Sequence, residues 1–305
     1  MAAEWSMGKR SMHDVALIYQ PLVPTALPLA RACAEMIGRR GFGTSIISSW
    51  NVSHNDLEPS LRLVVTFGGD GTILRAARWL AGTRVPVVGV QMGRLGFLAE
   101  VMPAQMPDAL APYLDGEYWL DERSMLQAAI IDTDGSYVHV GGALSPSVSG
   151  ERVVEPQDPQ TYVALNDIVV GRGQSLRTVT VDLSTEGHLL HSFRCDGLIV
   201  ATATGSTAYS FAAGGPILAP ASTEVAVTAI CPHISALRSL VLPGDSPFRL
   251  KVWTSEPAVV TIDGQTDRIL TNGQAVETRL SAQTAVFARG GTRAEYYSRI
   301  LAKLE

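Results

Sequence analysis

Residues 61–72 read Leu-Arg-Leu-Val-Val-Thr-Phe-Gly-Gly-Asp-Gly-Thr, and this stretch decides the fold of the first part of the chain. The apolar, β-branched run predicts a buried strand over residues 61–67, which leads directly into a turn of three glycines around Asp70. A helical pattern follows over residues 73–80 and ends at Gly82. A strand that passes through a glycine turn into a helix is typical of an α/β domain.

The same alternation of strand and helix continues on both sides of this stretch. The pattern predicts strands over residues 15–19, 45–47 and 85–90 and helices over residues 27–37 and 108–114. We therefore expect residues 1–123 to form an α/β N-terminal domain with a mostly parallel sheet that carries the glycine turn.

After Met125 the pattern changes to short, β-branched segments separated by turn signals such as Glu186-Gly187 and Asp263-Gly264. Strands are predicted over residues 126–131, 162–170, 178–183, 198–201, 225–230, 248–253, 258–262, 276–280 and 285–288. This predicts a larger all-β domain over residues 124–285, antiparallel and sandwich-like. Residues 141–160, rich in Gly, Ser and Pro, are expected to form a mobile loop. Residues 286–305 are expected to pack back on the first domain, with an amphipathic helix over residues 295–304.

Composition excludes several classes of protein. The chain has 305 residues and a net charge of -5 without a block of Lys or Arg, which argues against a nucleic-acid partner. No stretch approaches the roughly 20 apolar residues that span a bilayer, so no membrane partner is expected. The three cysteines are widely spaced and form no CxxC pair, which favours a reducing compartment and therefore the cytoplasm.

The glycine turn has a direct chemical use. Glycines allow a backbone to approach a phosphate closely, and the N–H groups at a helix N-terminus bind anions. Asp70 is unusual beside a phosphate, so its carboxylate is expected to orient a hydroxyl, accept its proton or hold a metal. The alternative is an ordinary tight turn in which Asp70 caps the helix. The pentapeptide alone leaves both interpretations open.

Two further motifs carry polar groups suited to a nucleotide. Small and hydroxylated residues follow the predicted strand 198–201, and they could line a wall for a flat ring while hydroxyls meet a base or sugar; a helix N-cap by Thr204 or Ser206 explains only part of this run. Asn166 and Asp167 interrupt an apolar strand and match ribose hydroxyls or an adenine edge, unless they form a β-bulge at a sheet edge. The candidate nucleotide-binding residues are Asn166, Asp167, Asp196, Thr204, Ser206, Thr207, Ala208 and Tyr209.

Taken together, these motifs resemble those of the NAD kinase family. The resemblance rests on Gly-Gly-Asp-Gly-Thr at 68–72, Leu-Asn and an acidic residue at 165–167, and Thr-Ala-Thr-Gly-Ser-Thr-Ala-Tyr-Ser-Phe-Ala-Ala-Gly-Gly-Pro-Ile at 202–217. Smaller matches are residues 93–98, Pro232-His233 with Arg238, and Asp263-Gly264-Gln265. The first motif is shared with diacylglycerol and sphingosine kinases, whereas Thr-Gly-Ser-Thr-Ala-Tyr is far more specific. The sequence departs from the family pattern at Gln91, Ala203 and Asp167, where Asn, Pro and Glu are more usual.

The resemblance implies a role for each matched position. Asp70 would contact the 2′-hydroxyl of the adenosine ribose as general base or orienting group. Asn166 and Asp167 would hold the adenosine part of NAD, and Asp196 would hold the nicotinamide amide. The residues expected along phosphates are Gly68, Gly69, Gly71 and Thr72. The resemblance also implies NAD and ATP (or polyphosphate) as substrates, Mg²⁺ or another divalent metal as cofactor, and a homodimer or homotetramer.

Two rival functions fit parts of the pattern. A lipid kinase of the diacylglycerol or sphingosine type shares the glycine turn, but it would need an apolar acyl cleft and has no use for the polar run at 204–209. A non-catalytic sensor that binds NAD or NADP would need the nucleotide-binding residues but not the carboxylate of Asp70.

Overall fold

The computed structural model describes residues 14–52, 57–93, 96–138, 161–175, 177–233 and 236–302. These residues form two compact units: the first contains the described residues up to Glu122 and those from Ala285 onward, and the second is Arg123–Thr284. The loop predicted over residues 141–160 lies outside the described residues. None of the described helices combines the length and the apolar content that a bilayer crossing requires.

The first unit has the predicted α/β architecture. Its elements before the boundary are β1 (Val15–Tyr19), α1 (Ala26–Arg39), β2 (Thr44–Ser48), β3 (Leu63–Gly68), α2 (Asp70–Trp79), β4 (Val87–Gln91), a 3₁₀ turn (Asp108–Leu110) and α3 (Ala111–Leu114). The four strands lie in the order β2-β1-β3-β4 and pair parallel. The predicted parallel sheet is confirmed.

The sequence of these elements accounts for their burial. All six residues of β3 are buried, as expected for a central parallel strand that is covered on both faces. Helix α1 buries Ala26, Ala30, Cys33 and Ile37, whose spacing places them on one face. Helix α2 begins at Asp70, three residues earlier than the apolar pattern indicated. Asp70 therefore lies in the first turn of a helix, directly after the central strand.

The remaining elements are mostly strands. They are β5 (Trp119–Ile131), β6 (Tyr162–Ala164), β7 (Asp167–Arg172), β8 (Val179–Thr185), β9 (His188–Cys195), β10 (Gly197–Ala201), α4 (Tyr209–Ala212), β11 (Glu224–Ile230), β12 (Ser239–Pro243), β13 (Phe248–Trp253), β14 (Ala258–Ile262), β15 (Thr266–Leu270), β16 (Ala275–Arg289) and α5 (Arg293–Ala302). The chain passes from one unit into the other within β5 and again within β16.

The second unit is an antiparallel sandwich, as predicted. One sheet has six strands in the order β12-β11-β10-β7-β14-β15. The other contains β16, β13, β8 and β9 in that order, with β5 and β6. Both sheets contribute side chains to one core, among them Val170, Leu198 and Val260 from the first sheet and Phe193 and Leu250 from the second.

The strand predicted over residues 162–170 is wrong in one important respect. The chain leaves β6 after Ala164 and enters β7 at Asp167, and these two strands belong to different sheets of the sandwich. Leu165 and Asn166 therefore form a connection between sheets, neither an unbroken strand nor a β-bulge. The apolar residues on both sides suggested one strand because each side is buried, although in different sheets.

Three strands have no counterpart in the sequence prediction. Strands β9, β12 and β15 each lie at the edge of a sheet, where one side of the strand needs no apolar partner and polar residues are common. The segments predicted over residues 276–280 and 285–288 are instead one continuous strand, β16. Periodicity thus predicted the edge strand β2 but missed these three edge strands and the full length of β16.

Candidate active site

The turn between β3 and α2 depends on two glycines in different ways. A Cβ on Gly68 would overlap the side chain of Thr72, so only glycine lets the first helical turn lie this close to the strand end. Gly69 precedes the helix in an extended conformation (φ −98°, ψ −171°). Nothing described lies within 4 Å of where its Cβ would be. Packing within the described residues therefore explains glycine at position 68 but not at position 69.

The Asp70 carboxylate is held by a neighbouring loop. Its Oδ2 accepts a hydrogen bond from the N–H of Phe97 at 2.8 Å, and its Oδ1 accepts one from the N–H of Leu98 at 3.3 Å. The residue that caps α2 is Gly69, and no side chain makes a capping bond. The alternative in which Asp70 caps its own helix is therefore wrong. Two accepted bonds leave a carboxylate with lone pairs for further donors.

Gly96 and Gln91 complete this arrangement. A Cβ on Gly96 would overlap the Asp70 carboxylate, so glycine is needed for the loop to approach it. The N–H of Gly96 donates to Oε1 of Gln91 at 3.0 Å, and the Gln91 side chain is buried at the end of β4. The loop is thus attached to the strand beside the turn that carries Asp70.

A second carboxylate organises the connection between β6 and β7. Asp263 Oδ2 accepts the N–H of Leu165 at 3.0 Å, and Asp263 Oδ1 accepts the N–H groups of Asn166 at 2.7 Å and Asp167 at 3.2 Å. Asp263 and Gly264 both have positive φ, 51° and 63°, and they are the central residues of the turn between β14 and β15, in which the N–H of Gln265 donates to the carbonyl of Ile262 at 3.0 Å. The hairpin therefore presents the Asp263 carboxylate to three successive backbone N–H groups.

This arrangement changes the acidity of Asp167. Burial first, and the negative charge of Asp263 second, raise the pKa of the Asp167 carboxyl from 3.8 to about 7. Near neutral pH a substantial fraction of Asp167 therefore carries a proton and can donate a hydrogen bond, unlike an ordinary carboxylate. The neighbouring Asn166 side chain has its Oδ1 buried without a hydrogen-bond partner among the described residues.

The polar segment after β10 builds a compact turn behind this connection. Thr202 Oγ1 donates to the carbonyl of Leu165 at 2.6 Å and accepts the N–H of Gly205 at 3.1 Å. A Cβ on Gly205 would overlap the backbone of Asn166, which explains the glycine in the Thr-Gly-Ser run. The segment therefore fixes the back of the Leu165–Asn166 connection.

The hydroxyls of this segment mostly bond within the segment or to the rest of the second unit. Ser206 Oγ donates to the carbonyl of Ala203 at 2.6 Å and accepts the N–H of Leu218 at 3.0 Å. Thr207 Oγ1 donates to the carbonyl of Thr204 at 3.1 Å, and Thr204 Oγ1 accepts from Arg123 at 3.2 Å. The structure thus gives Thr204, Ser206 and Thr207 a role in shaping the turn. Direct contact of these hydroxyls with a ligand stays a prediction.

A cavity of about 1260 Å³ opens on the face of the six-stranded sheet that is turned away from the core. Outward-facing side chains of β7, β14 and β15 form its floor, among them Val169, Thr261 and Ile269. Seven charged residues lie around it: Asp167, Arg172, Asp196, Glu256, Asp263, Asp267 and Arg268. The cavity therefore offers an apolar floor with a strongly polar wall, which is typical of sites for small ligands.

Asp196 lies in the wall of this cavity next to a cation. Its Oδ1 is 3.4 Å from Nε of Arg172, and both side chains are partly exposed. The carbonyl of Ser175 accepts a second bond from Arg172 at 2.9 Å. Arg172 therefore holds Asp196 while leaving it accessible from the cavity.

The predicted site residues fall into two groups. The first group is Asn166, Asp167, Asp196, Ala208 and Tyr209, which all line the cavity described above, although 43 positions separate the first from the last along the chain. The residues of the glycine turn belong to the first unit and are Gly68, Gly69, Asp70, Gly71 and Thr72.

Sequence reasoning missed three features of the site. They are the three-fold acceptor role of Asp263, the Arg172–Asp196 ion pair and the loop N–H groups that hold Asp70. Asp263-Gly264 was recognised only as a turn signal and a minor motif match. The acidic first residue of this turn was the one signal in the sequence that could have indicated the acceptor role of Asp263.

Comparison with known proteins decides the family. The ATP-NAD kinase N-terminal domain matches residues 48–118, and the ATP-NAD kinase C-terminal domain matches residues 165–290. A NAD kinase from Dehalococcoides mccartyi is 35% identical over 294 residues, which cover 95% of each chain. One from Heliobacterium modesticaldum is 36% identical over 291 residues, covering 92% of this chain and 95% of the relative. The chain belongs to the NAD kinase family.

Solved structures of the NAD kinase family share the fold. The structure of yeast NADH kinase complexed with NADH covers 96% of this chain and 88% of its own, with a TM-score of 0.76 and 22% identity. A NAD kinase from Archaeoglobus fulgidus in complex with ATP covers 94% of this chain and 98% of its own, with a TM-score of 0.70 and 23% identity. The predicted fold class, a parallel α/β domain with an antiparallel sandwich, is confirmed.

At each of the three positions where this chain departs from the usual NAD kinase motifs, the residue present still makes a hydrogen bond. The longer side chain of Gln91 reaches the N–H of Gly96. Ala203 contributes its backbone carbonyl to Ser206, a group that proline also provides. Asp167 is held by its own N–H bond to Asp263. These substitutions leave the turn and the connection between sheets intact.

Proposed function

We propose that this protein transfers the γ-phosphoryl group of ATP to the 2′-hydroxyl of the adenosine ribose of NAD and so produces NADP. The observation that carries the proposal is the Asp70 carboxylate, which loop N–H groups orient at the N-terminus of α2. Membership of the NAD kinase family supplies the reaction class. The polyphosphate donor considered from the sequence remains an alternative to ATP.

Asp70 aligns the ribose oxygen for in-line attack and accepts its proton as the bond to the γ-phosphorus forms, while the bond from that phosphorus to the bridging oxygen of ATP breaks and ADP leaves. Phosphoryl transfer depends mainly on positioning and charge stabilisation. The two loop bonds fix the rotamer of Asp70 before the substrate arrives, so little reorganisation is needed during the reaction.

The glycine turn receives the phosphates of the donor. The open space at Gly69 supports this role, because glycine there is unexplained by the packing of the described residues but lets an outside group approach the backbone. The position at the N-terminus of α2 and the helix dipole favour anionic oxygens at this point. We assign Gly68, Gly69, Gly71 and Thr72 to this site.

Mg²⁺ enters as part of the donor. Within the part of the chain that the structure describes, no group of three or more metal-ligating side chains comes together. This fits Mg²⁺, which proteins commonly bind through one or two carboxylates together with substrate phosphates and water. Asp70 is the carboxylate in the glycine turn and would complete the coordination of a triphosphate-bound ion.

NAD binds in the cavity of the second unit. The buried Oδ1 of Asn166, without a partner among the described residues, suits a hydroxyl or amino donor of the adenosine part, and a protonated Asp167 beside it can donate in return. Asp196, fixed by Arg172, suits the nicotinamide amide. Ala208 and Tyr209 line the wall, and Thr204, Ser206 and Thr207 support it from behind.

The charged wall favours this assignment over a lipid kinase. An acyl chain gains free energy by burying apolar surface, whereas this cavity would force it against carboxylates and guanidinium groups. A non-catalytic sensor remains a rival, but the two bonds that orient Asp70 have no role in ligand binding alone. We further propose a cytoplasmic homodimer or homotetramer; exposed Ile269 and Tyr209 at the cavity offer surface that a second copy could cover.

A donor-by-acceptor matrix tests the proposal. Purified protein is given ATP, GTP or polyphosphate with NAD, NADH, diacylglycerol or sphingosine, with and without Mg²⁺, and NADP is measured with an NADP-specific dehydrogenase. We expect NADP from ATP, NAD and Mg²⁺ together. Label transfer only to a lipid would establish the lipid kinase, and an NAD-dependent thermal shift without NADP formation would establish the sensor.

A further inference from the structure

A buried arginine lies at the end of β16, far along the chain from the glycine turn. Arg289 is completely buried and is among the largest fully buried side chains of the protein. Its guanidinium carbon lies 4.8 Å from the ring centre of Phe287 and 4.6 Å from that of Tyr296. A cation is costly to bury, so its surroundings must hold it by specific bonds.

The partners of Arg289 come from three separate segments of the first unit. Nε donates to Asp121 at 3.1 Å, and Nη1 lies 3.3 Å from Oε2 of Glu100. Nη2 donates to the Tyr296 hydroxyl at 3.3 Å. The shortest bond is to a backbone group: Nη1 donates to the carbonyl of Leu98 at 2.8 Å. Two carboxylates thus fix the guanidinium, which in turn fixes Leu98.

Leu98 is held at both of its backbone groups. Its carbonyl accepts from Arg289, and its N–H donates to Oδ1 of Asp70. The adjoining N–H of Phe97 makes the shorter of the two bonds to Asp70. Further along, the N–H groups of Glu100 and Val101 both donate to the carbonyl of Gly89 in β4. The segment from Phe97 to Val101 is therefore tied to the sheet at one end and to Asp70 at the other.

We propose that Arg289 is a positioning residue for Asp70. By holding the Leu98 carbonyl, the guanidinium keeps the N–H groups of Phe97 and Leu98 aimed at the carboxylate, which fixes the orientation in which Asp70 meets the ribose hydroxyl. The inference rests on the proposed function for its catalytic consequence. The hydrogen-bond chain that it requires lies wholly within the first unit.

Lysine cannot replace this guanidinium. Its ammonium group is a point charge without the planar fork that lets Arg289 address Leu98, Asp121 and Tyr296 in fixed directions. Arg289→Lys therefore keeps the charge beside the two carboxylates but loosens Leu98. Displacement of a reacting group by about 1 Å can cost as much as 10²-fold in rate, so we expect kcat to fall roughly tenfold or more.

The test is a double-mutant comparison with Asp70→Asn. Arg289→Lys should lower kcat about tenfold in the wild-type background, with the KM for NAD changed by less than about twofold. In the Asp70→Asn background, Arg289→Lys should lower kcat by less than about twofold, because no carboxylate is left to orient. Tyr296→Phe removes one hydrogen bond to Arg289 and keeps every charge. It should lower kcat in the same pattern as Arg289→Lys but by a smaller factor. If Arg289→Lys does not fold, Tyr296→Phe tests the positioning role.

The control is Ile37→Val in the core of α1, which should lower the melting temperature without changing kcat. Hydrogen exchange over residues 96–101, followed by mass spectrometry, should be faster in Arg289→Lys than in wild type and unchanged in Ile37→Val. Equal losses of kcat in both Asp70 backgrounds, or unchanged exchange over residues 96–101, would overturn the positioning role. A wild type that makes no NADP would refute only the proposed function, and the exchange measurement would still decide the structural claim.

Discussion

The two units solve the same problem in different ways, because each uses one carboxylate to collect backbone N–H groups. Asp70 accepts two N–H groups, from Phe97 and Leu98, whereas Asp263 accepts three, from the connection between β6 and β7. In the first unit the loop orients the carboxylate, and lone pairs remain for a substrate. In the second unit the carboxylate orients the loop, and most of its hydrogen-bonding capacity is used. Under the proposed function, the same chemistry serves the reaction in the first unit and architecture in the second.

The largest expected effect comes from removing the charge of Asp70. Asp70→Asn should lower kcat by about 10²–10⁴-fold while the Kd for NAD, measured by calorimetry, stays near the wild-type value. The matched control is Asp115→Asn, an exposed carboxylate of the same unit paired with Arg40, which should leave kcat unchanged. Near-normal turnover in Asp70→Asn would remove Asp70 from the reaction and break the comparison.

Displacing the Asp70 carboxylate should lower kcat less than removing its charge. A Cβ in Gly96→Ala overlaps the Asp70 carboxylate, so the side chain must leave its position, and we expect kcat to fall on the order of 10-fold to 10²-fold. Gly38→Ala is the control, because nothing lies within 4 Å of its Cβ position in α1. A Gly96→Ala enzyme with the same kcat as Gly38→Ala would show that the orientation of Asp70 does not matter.

Removing the second carboxylate should affect binding rather than turnover. Asp263→Asn supplies a weaker acceptor to three successive backbone N–H groups, so the connection that carries Asn166 and Asp167 should loosen. We expect the KM for NAD to rise about tenfold with kcat changed less, and the free energy of unfolding to fall by about 1–3 kcal/mol. The exposed Asp245→Asn serves as control in the same unit. A fall in kcat with an unchanged KM would assign Asp263 a role like that of Asp70.

The smallest effect concerns the pH dependence of stability. Since the pKa of Asp167 is raised to about 7 in the folded protein, the folded state binds more protons than the unfolded state between about pH 4 and pH 7. The free energy of unfolding should therefore fall as pH rises through this window. Relative to Asp167→Asn, the wild type should lose on the order of a few kcal/mol.

Urea unfolding of wild type and Asp167→Asn at a series of pH values measures this loss. Parallel curves for the two proteins between pH 4 and pH 7 would contradict the raised pKa. Because the charge of Asp263 contributes to the raised pKa of Asp167, Asp263→Asn should reduce the loss of unfolding free energy between pH 4 and pH 7. That result would sharpen the comparison between the units.

The sequence predicted the elements whose side chains repeat with a clear period. β1, β13 and β14 were predicted with their observed bounds. Buried strands and amphipathic helices show a regular pattern of apolar residues along the sequence, and that pattern can be recognised locally. Strands β9, β12 and β15 were missed because a strand at the edge of a sheet need not carry this pattern. The break at Leu165–Asn166 was missed because apolar residues on both sides of it are buried in different sheets.

By itself, the sequence determined the α/β and sandwich architectures, the family and the residues that could carry the reaction, because motifs and periodicity are local properties. Tertiary structure alone decided which groups hold those residues in place. Asp263 meets Leu165 across 98 positions, and Arg289 meets Leu98 across 191. Contacts between residues this far apart along the chain depend on how distant segments pack, so they cannot be predicted from a local stretch of sequence.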